Sequence, residues 1–254
     1  MDDFEELLAE GSAVPTEGWD FSWFEGRATE ERPSWGYAGL LADRMAKAEA
    51  ALDLQTGGGE VLATIPHPPP VLRATESWPP NLEIARRTLA PLGGTVVESA
   101  DTADLPFEDG AFDLVVSRHP TAVLWHEIAR VLKPGGTYLS QGIGAGSNRE
   151  LSEAMMGPLP APTDEGIAES ADAAGLDVIT LLHESLRAEY YDIGAIVHFL
   201  RKVLWTVPGF TPERYRPQLI GLHDRIRSEG PFVSHARRYL LEARKRAPVQ
   251  TPWT

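Results

Sequence analysis

From residue 50 onward the chain repeats one pattern, in which short apolar runs alternate with segments of helical periodicity. The helical spacing is clearest over 80–91 and 122–132. Strands separated by helices in this way predict right-handed crossovers and a parallel sheet. The sequence therefore predicts a doubly wound α/β protein, with strands over 50–54, 71–75, 94–99, 112–117 and 136–141.

The pattern is less regular on either side of this region. Residues 1–34 are acidic and carry Trp19 and other aromatic residues, which suggests a helix and a loop, and a further helix is predicted over 37–49. After residue 150 the sequence predicts a helix over 164–174, a strand over 177–183, two helices within 190–228 separated by Thr206–Gly209, and a last strand over 232–244, where a helix is the alternative.

Composition excludes several kinds of chemistry. The chain has no cysteine, which rules out disulfides, thiolate zinc sites and a cysteine nucleophile. Its seven histidines show no tight ligand spacing, so no metal is predicted. No stretch approaches the about 18 consecutive apolar residues of a membrane span. The acidic start, MDDFEELLAE, differs from the basic start of a secretory signal, and we expect a cytoplasmic protein.

Charge is distributed unevenly along the chain. The net charge of −14 argues against non-specific binding of nucleic acid. Residues 201–246, however, contain eleven Lys or Arg against four Asp or Glu. This basic segment is either a solvated helical face or a surface for an anionic substrate.

The most informative segment is Leu52–Glu60 (LDLQTGGGE), where a strand ends in Asp53 and a glycine-rich turn is predicted to open a helix. Glycines let a ligand approach the backbone, and a helix N-terminus presents N–H groups that bind pyrophosphate in dinucleotide enzymes. A carboxylate beside this loop would repel phosphate and attract an ammonium group. That preference favours S-adenosylmethionine over a nucleotide, and the alternative is a turn without a ligand.

Two further strand ends also carry acids. Glu76 follows the second strand, about 20 residues after the glycines, where a carboxylate can accept both ribose hydroxyls. Asp101 follows the third strand and can accept from an adenine amino group. Each acid alone is typical of a helix cap or turn. Three acids at the ends of three successive strands, beside one glycine loop, favour a binding site.

These motifs, in this order, resemble the class I S-adenosylmethionine-dependent methyltransferases over about residues 40–145. The resemblance rests on DLQTGGGE, TES, SADTADLPFEDGAFDLVVS and EIARVLKPGG, of which the LPF–DG–FD and RVLKPGG signatures are typical of the small-molecule-type branch. GGGE, the Arg118-His119 pair and residues 140–144 are similar to a bacterial subgroup whose substrates are mostly unassigned. The resemblance implies a seven-stranded sheet in the order 3-2-1-4-5-7-6, with strand 7 antiparallel.

By position, the resemblance also implies a set of cofactor contacts. Asp53, Gly57 and Gly59 would hold the methionine end of the cofactor, Glu76 the ribose, and Asp101 with Thr102 the adenine. Gln55 belongs to the same loop and stands where the family has its first glycine. Its side chain must point away from the cofactor, or the loop is altered.

The fourth strand leads into Arg118-His119-Pro120 at its carboxyl end, where open α/β sheets place their ligands. His119 is the candidate general base, because imidazole can accept a proton near neutral pH. The alternative is a histidine that packs beside the cofactor without proton transfer. Arg118 is a candidate contact to the cofactor or to a substrate anion, or it anchors the loop.

The chain is expected to consist of an N-terminal segment over 1–36 and a methyltransferase domain over 37–254, with a helical substrate-capping insertion at 186–231. Tyr190, Tyr191 and His198 are candidate substrate contacts there, since insertions at this point in the family usually cover the substrate. The alternative is that these aromatic residues belong to an apolar core.

The predicted reaction is transfer of a methyl group from S-adenosylmethionine to a small organic acceptor by a monomer or homodimer. The basic segment supports an RNA methyltransferase as an alternative, but no RNA-binding module and no (D/N)PP(Y/F) motif accompanies it. A non-catalytic protein that binds S-adenosylmethionine is the third possibility, because Gln55 interrupts the glycine motif.

Overall fold

The computed structural model describes residues 3–16, 21–102, 104–163 and 166–247. Trp19 and other parts of the predicted segments 1–36 and 37–254 lie outside these ranges. The eight helices of the described residues are α1 (Phe4–Ala13), α2 (Tyr37–Met45), α3 (Pro79–Leu89), α4 (Trp125–Val131), α5 (Arg149–Met156), α6 (Ile167–Ala173), α7 (Ile193–Lys202) and α8 (Arg216–Glu229). The eight strands are β1 (Ala28–Glu30), β2 (Ala50–Leu54), β3 (Val71–Glu76), β4 (Thr95–Glu98), β5 (Phe112–Arg118), β6 (Leu132–Ile143), β7 (Leu176–Tyr190) and β8 (Phe232–Lys245).

The strands form one sheet in the order β1-β7-β8-β6-β5-β2-β3-β4. Adjacent strands from β4 across to β6 pair in parallel, which confirms the predicted α/β fold class. Without β1, the remaining seven strands follow the order that the resemblance implies. The short strand β1 is an additional edge strand, antiparallel to the end of β7.

The chain divides into two compact units. One unit comprises Ser34–Gly142, Asp164–His183 and Tyr239–Thr254 and contains the parallel strands. Successive residues of its central strands face opposite sides: Ala51 and Leu114 join one buried cluster, whereas Leu52 and Val115 join another. Both faces of these strands are therefore covered by apolar side chains, as is usual for parallel sheets.

The other unit comprises Met1–Pro33, Ile143–Thr163 and Glu184–Arg238. Its core forms around α7, in which Ile193, Ile196 and Leu200 are completely buried. Asp192 caps this helix, because its carboxylate accepts a hydrogen bond from the Ala195 N–H at 2.8 Å. Among the described residues of the whole chain, no helix is both long enough and apolar enough to cross a membrane.

The prediction of a helix directly after the glycine loop is wrong. Between β2 and β3 the chain forms only a short 3₁₀ turn, Leu62–Thr64. Pro66 and Pro68–Pro70 follow this turn closely. Proline has no N–H to donate and clashes with the preceding helical turn, so an α-helix could not extend through this segment.

Strand β7 is longer than the strand predicted over 177–183 and continues to Tyr190. Residues 186–190 of the predicted helical insertion are therefore strand, and helical structure begins at Ile193 with α7.

Candidate cofactor site

The parallel strands bring the predicted site residues to one edge of the sheet. Asp53 in β2 lies opposite Ala74 of β3 and Val116 of β5. Glu76 is the last residue of β3, and Arg118 is the last residue of β5. Since these strands are parallel, their carboxyl ends meet where ligands bind in open α/β sheets.

The loop after β2 is held in a left-handed conformation at three alternate positions. Gln55, Gly57 and Gly59 have φ of 56°, 64° and 79°. Glycine adopts this region readily, whereas a residue with a side chain does so at some cost. Gln55 therefore retains the backbone shape expected of the glycine that the family has there. The backbone N–H groups of Gln55 and Thr56 both donate to Thr75 of β3, at 3.1 Å to Oγ1 and 2.9 Å to the carbonyl oxygen.

Asp53 is a buried carboxylate without a cationic partner. Its side chain accepts a hydrogen bond from the Thr56 hydroxyl at 2.6 Å. No Lys, Arg or His within the described ranges forms an ion pair with it. Burial, and secondly the nearby charge of Glu76, raise the pKa of Asp53 from 3.8 to about 7, against the opposing effect of the Thr56 hydrogen bond. A bound cation would stabilise the charged carboxylate.

Glu76 ties the end of β3 to the glycine loop. Its Oε2 accepts from the Gly57 N–H at 2.8 Å, and its Oε1 accepts from the N–H groups of Ser77 and Trp78 at 3.0 and 2.8 Å. Burial raises the pKa of Glu76, although these three donors lower it. A carboxylate offers about four acceptor positions, so Oε2 can accept a further hydrogen bond from a ligand hydroxyl.

The Gln55 side chain points to the loop after β5. Its Nε2 donates to the Ala122 carbonyl at 2.7 Å, and its Oε1 accepts from the Thr121 N–H at 2.6 Å and lies 3.0 Å from the Thr121 hydroxyl oxygen. The Thr121 hydroxyl also lies 2.7 Å from Asp101 Oδ2. Gln55 therefore links the cofactor loop to Asp101 through Thr121.

Thr102 and Arg118 are less integrated into this network. Thr102 is exposed in the turn that follows Asp101, and no side-chain hydrogen bond joins it to the other site residues described. Arg118 is also exposed. Its positive charge reaches the buried Tyr37 hydroxyl, whose pKa is raised mainly by burial and lowered slightly by Arg118.

His119 adopts a left-handed conformation with a φ of 55°. Its N–H donates to the Gln141 carbonyl at 2.7 Å, and its Nε2 lies 3.0 Å from Gln141 Nε2. The Trp35 indole N–H donates to Gln141 Oε1 at 2.8 Å. His119, Gln141 and Trp35 thus form a continuous row beside the ends of β5 and β6.

Sequence reasoning missed several residues of the site. Gln141 and Thr75 enter the sequence analysis only within motifs, and Trp35 and Thr121 are not identified there. Also missed was a buried polar network beneath the site, in which the Ser117 hydroxyl lies 2.8 Å from the Tyr138 hydroxyl and 2.9 Å from the Ser140 hydroxyl. Thr75, Ser117 and Gln141 lie near strand ends, which is the available signal, whereas Trp35 and Thr121 lie in loops that give no such signal.

The candidate substrate residues lie in the other unit, where two of them are packed in its interior. Tyr190 is buried with its ring 5.4 Å from that of Phe199. His198 is buried and stacks on Phe24 at 5.0 Å. Tyr191 is more exposed, and its hydroxyl donates to Glu189 at 3.1 Å. This packing favours the core alternative for Tyr190 and His198, and substrate contact stays a prediction for all three.

The residues present fit the charge of S-adenosylmethionine better than that of a dinucleotide. Asp53 and Glu76 are two buried carboxylates, and the charge of Glu76 contributes to the raised pKa of Asp53. They would repel a pyrophosphate and stabilise an ammonium group. No cluster of three or more His, Asp or Glu residues suited to a metal ion occurs in the part of the chain that the structure describes.

Comparisons with known proteins agree with this geometry. Residues 52–140 match the family described as a methyltransferase domain. A malonyl-[acyl-carrier protein] O-methyltransferase of Marinomonas sp. (strain MWYL1) is 31% identical over 121 residues, a match that covers 44% of each protein. The chain thus spans less than half the length of this curated relative.

Solved structures with low sequence identity show the same fold. A candidate methyltransferase from Bacillus halodurans C-125 superposes with a TM-score of 0.58 at 20% identity, covering 83% of this chain and 99% of that one. A geranyl diphosphate methyltransferase in complex with S-adenosylmethionine superposes with a TM-score of 0.50 at 13% identity, covering 82% and 84%. Residues 52–140 therefore match a methyltransferase domain, and the chain shares the fold of solved methyltransferase structures.

Proposed function

We propose that this protein transfers a methyl group from S-adenosylmethionine to a small organic acceptor. The observation that carries the proposal is the uncompensated carboxylate of Asp53, buried beside Glu76 at the carboxyl edge of the parallel strands. A site with this charge favours a ligand with a cationic end.

The proposed contacts follow from the hydrogen-bonding capacity of each residue. Asp53 and the loop of Gln55, Gly57 and Gly59 hold the methionine end of the cofactor. Glu76 accepts from the ribose through Oε2. Asp101 has an oxygen, Oδ1, that accepts no hydrogen bond from the described residues, and with Thr102 it receives the adenine amino group. Arg118 lies beside the same edge and contacts the cofactor or an acidic substrate group.

When bound, S-adenosylmethionine supplies a methyl group activated by its sulfonium. The residues of the chain contribute to the reaction mainly by holding the two reactants close and aligned, which is a large part of catalysis when two molecules must meet. Acceptors that lose a proton also require a base, and general-base catalysis by His119 stays a prediction.

The ion pairs of the basic segment, residues 201–246, favour a small acceptor over RNA. Five of its eleven cations form ion pairs with carboxylates within the described residues; these are Arg216, Arg225, Arg227, Arg238 and Arg246. Paired cations offer little attraction to a phosphate backbone. The family relative named above acts on a malonyl group carried by a protein, and the acceptor of this chain is proposed only as a chemical class.

Isothermal titration calorimetry tests the proposal. The protein should bind S-adenosylmethionine and its demethylated product, and it should not bind a nicotinamide dinucleotide. Dinucleotide binding without a response to S-adenosylmethionine would refute it. Tight cofactor binding without methyl transfer to any fraction of a cell extract would indicate the non-catalytic alternative.

Glu76→Ala should weaken S-adenosylmethionine binding by about 1–3 kcal/mol, the range for hydrogen bonds to a charged acceptor. Asp104→Ala is the matched control, because Asp104 is an exposed acid in the segment after β4 and no hydrogen bond joins it to the loop. Equal losses from the two variants would contradict the assignment of Glu76.

A further inference from the structure

The row formed by Trp35, Gln141 and His119 determines which nitrogen of His119 carries a proton. Gln141 is almost completely buried, with 4% of its surface exposed. One atom of its amide lies 2.8 Å from Trp35 Nε1, and the other lies 3.0 Å from His119 Nε2. The amide therefore lies between the Trp35 indole N–H, which can only donate, and the His119 Nε2, which can donate or accept.

The indole of Trp35 can only donate, so the amide atom that faces it must be the oxygen. The NH₂ group of Gln141 then faces His119. An NH₂ group can only donate, and His119 Nε2 must accept through its lone pair. In a neutral imidazole the hydrogen bond made by one nitrogen decides the state of the other, which places the proton on Nδ1.

The backbone holds both partners in this arrangement. His119 follows β5 directly, and Arg118 is paired with Gln141 in the parallel ladder. The His119 N–H donates to the Gln141 carbonyl at 2.7 Å, which keeps the two residues in register. The left-handed conformation of His119, with a φ of 55°, directs the chain out of the strand at this point. Backbone conformations of this kind are concentrated at functional sites.

We propose that Trp35 and Gln141 are positioning residues that hold His119 as the neutral tautomer protonated on Nδ1. Proton abstraction by Nε2 would place an N–H against the NH₂ group of Gln141 and would require the amide to turn away from Trp35. On the proposed function, this tautomer argues against the general-base role of His119, because Nε2 accepts from Gln141 and Nδ1 already carries a proton.

Nitrogen-15 NMR of histidine-labelled protein, without ligand, tests the assignment. The spectrum is recorded well above the ordinary imidazole pKa of about 6.5. His119→Asn identifies the His119 signals by their loss, and asparagine tolerates the left-handed conformation. The expected result is a protonated, pyrrole-type Nδ1 and an unprotonated, pyridine-type Nε2. A protonated Nε2 in the wild-type protein would overturn the proposal.

Two variants test the positioning roles separately. Gln141→Glu has nearly the same shape and still accepts from Trp35, but its carboxylate can only accept, so the proton should move to His119 Nε2. Trp35→Phe removes the donor that orients the amide, and the two tautomers should then mix. An unchanged His119 spectrum in Gln141→Glu would contradict the mechanism. Because these spectra need no cofactor, failure to bind S-adenosylmethionine would count against the proposed function alone.

Discussion

At the scale of single residues, Asp53 combines a functional role with a cost to stability. In the folded protein its pKa is about 7, compared with 3.8 for an ordinary aspartate. Between these values the folded state binds a proton that the unfolded state has lost. The stabilising contribution of Asp53 is therefore present at low pH and is lost as the pH rises through about 7.

The variant Asp53→Asn should remove this dependence. Each pKa unit corresponds to about 1.4 kcal/mol, so the wild-type free energy of unfolding should fall relative to the variant by up to about 4 kcal/mol as the pH rises across this window. Urea denaturation of both proteins without ligand, at several pH values, measures the difference. Parallel pH curves would show that the buried carboxylate titrates normally. Calorimetry should show that the wild-type protein binds S-adenosylmethionine more tightly than the variant, because only the charged wild-type carboxylate attracts an ammonium group.

Two contributions to stability oppose each other at Gln55. Its side chain forms hydrogen bonds with Thr121 and Ala122, each worth about 0.5–1.5 kcal/mol, but its left-handed backbone costs about 1–2 kcal/mol. Gln55→Gly should therefore change the free energy of unfolding by about 2 kcal/mol at most. The same change frees the loop after β5, so cofactor affinity should fall, by about 1 kcal/mol. Denaturation and calorimetry measure the two effects. A large loss of stability with unchanged affinity would mean that Gln55 is purely structural.

At the scale of elements, the glycine loop is packed directly against α3. A Cβ added to Gly59, which has a φ of 79°, would lie 3.0 Å from Leu89 Cγ. Gly93 provides the matched control, because it has a φ of 69° and nothing within 4 Å of such an atom. Gly59→Ala should lower stability by about 2–3 kcal/mol and Gly93→Ala by about 1 kcal/mol, since only the first adds overpacking to backbone strain. Thermal unfolding compares them, and equal losses would show that Leu89 moves aside.

The sequence predicts those helices and strands whose pattern is carried by a few neighbouring residues. Strand β2 begins and ends where predicted, because a run that is apolar except for Asp53 is bounded by Glu49 and Gln55. Strand β7 was cut short at residue 183, although Leu186, Ala188 and Tyr190 continue an alternation of buried and more exposed positions. His183, Glu184 and Ser185 interrupt the apolar positions before Leu186, and this interruption conceals the period.

The sequence predicts which site residues lie at strand ends, but it does not predict the contacts that join them. Asp53 lies near the end of a predicted strand, Glu76 and Asp101 follow two others, and the parallel sheet brings those strand ends together. The contacts of Gln55 with Thr121, and of Trp35 with Gln141, join residues 66 and 106 positions apart. No pattern in the sequence predicts such pairs, because they depend on the packing of whole elements.

At the scale of the whole molecule, the distribution of charge favours a small-molecule substrate over RNA. The net charge is −14, and the positive surplus is confined to residues 201–246. Within the described ranges, Arg238 pairs with Glu30 at 2.7 Å, Arg227 pairs with Asp3 at 3.3 Å, and Arg216 pairs with Glu5. These cations are neutralised by acids elsewhere in the chain, so the basic segment is not a continuous positive track.

The last prediction follows from this neutralisation. A protein that binds RNA through several phosphates releases counterions, and its affinity falls by about 10³-fold or more between about 50 and about 200 mM salt. Here the acidic surface should repel RNA, and a gel-shift titration with total cellular RNA should show no retained species at either salt concentration. The double variant Glu30→Gln, Asp3→Asn provides an internal comparison, because it releases Arg238 and Arg227 from their partners and should increase any weak binding. Tight, salt-sensitive binding of one RNA by the unaltered protein would overturn the small-molecule assignment, since binding of that kind requires contacts to several phosphates.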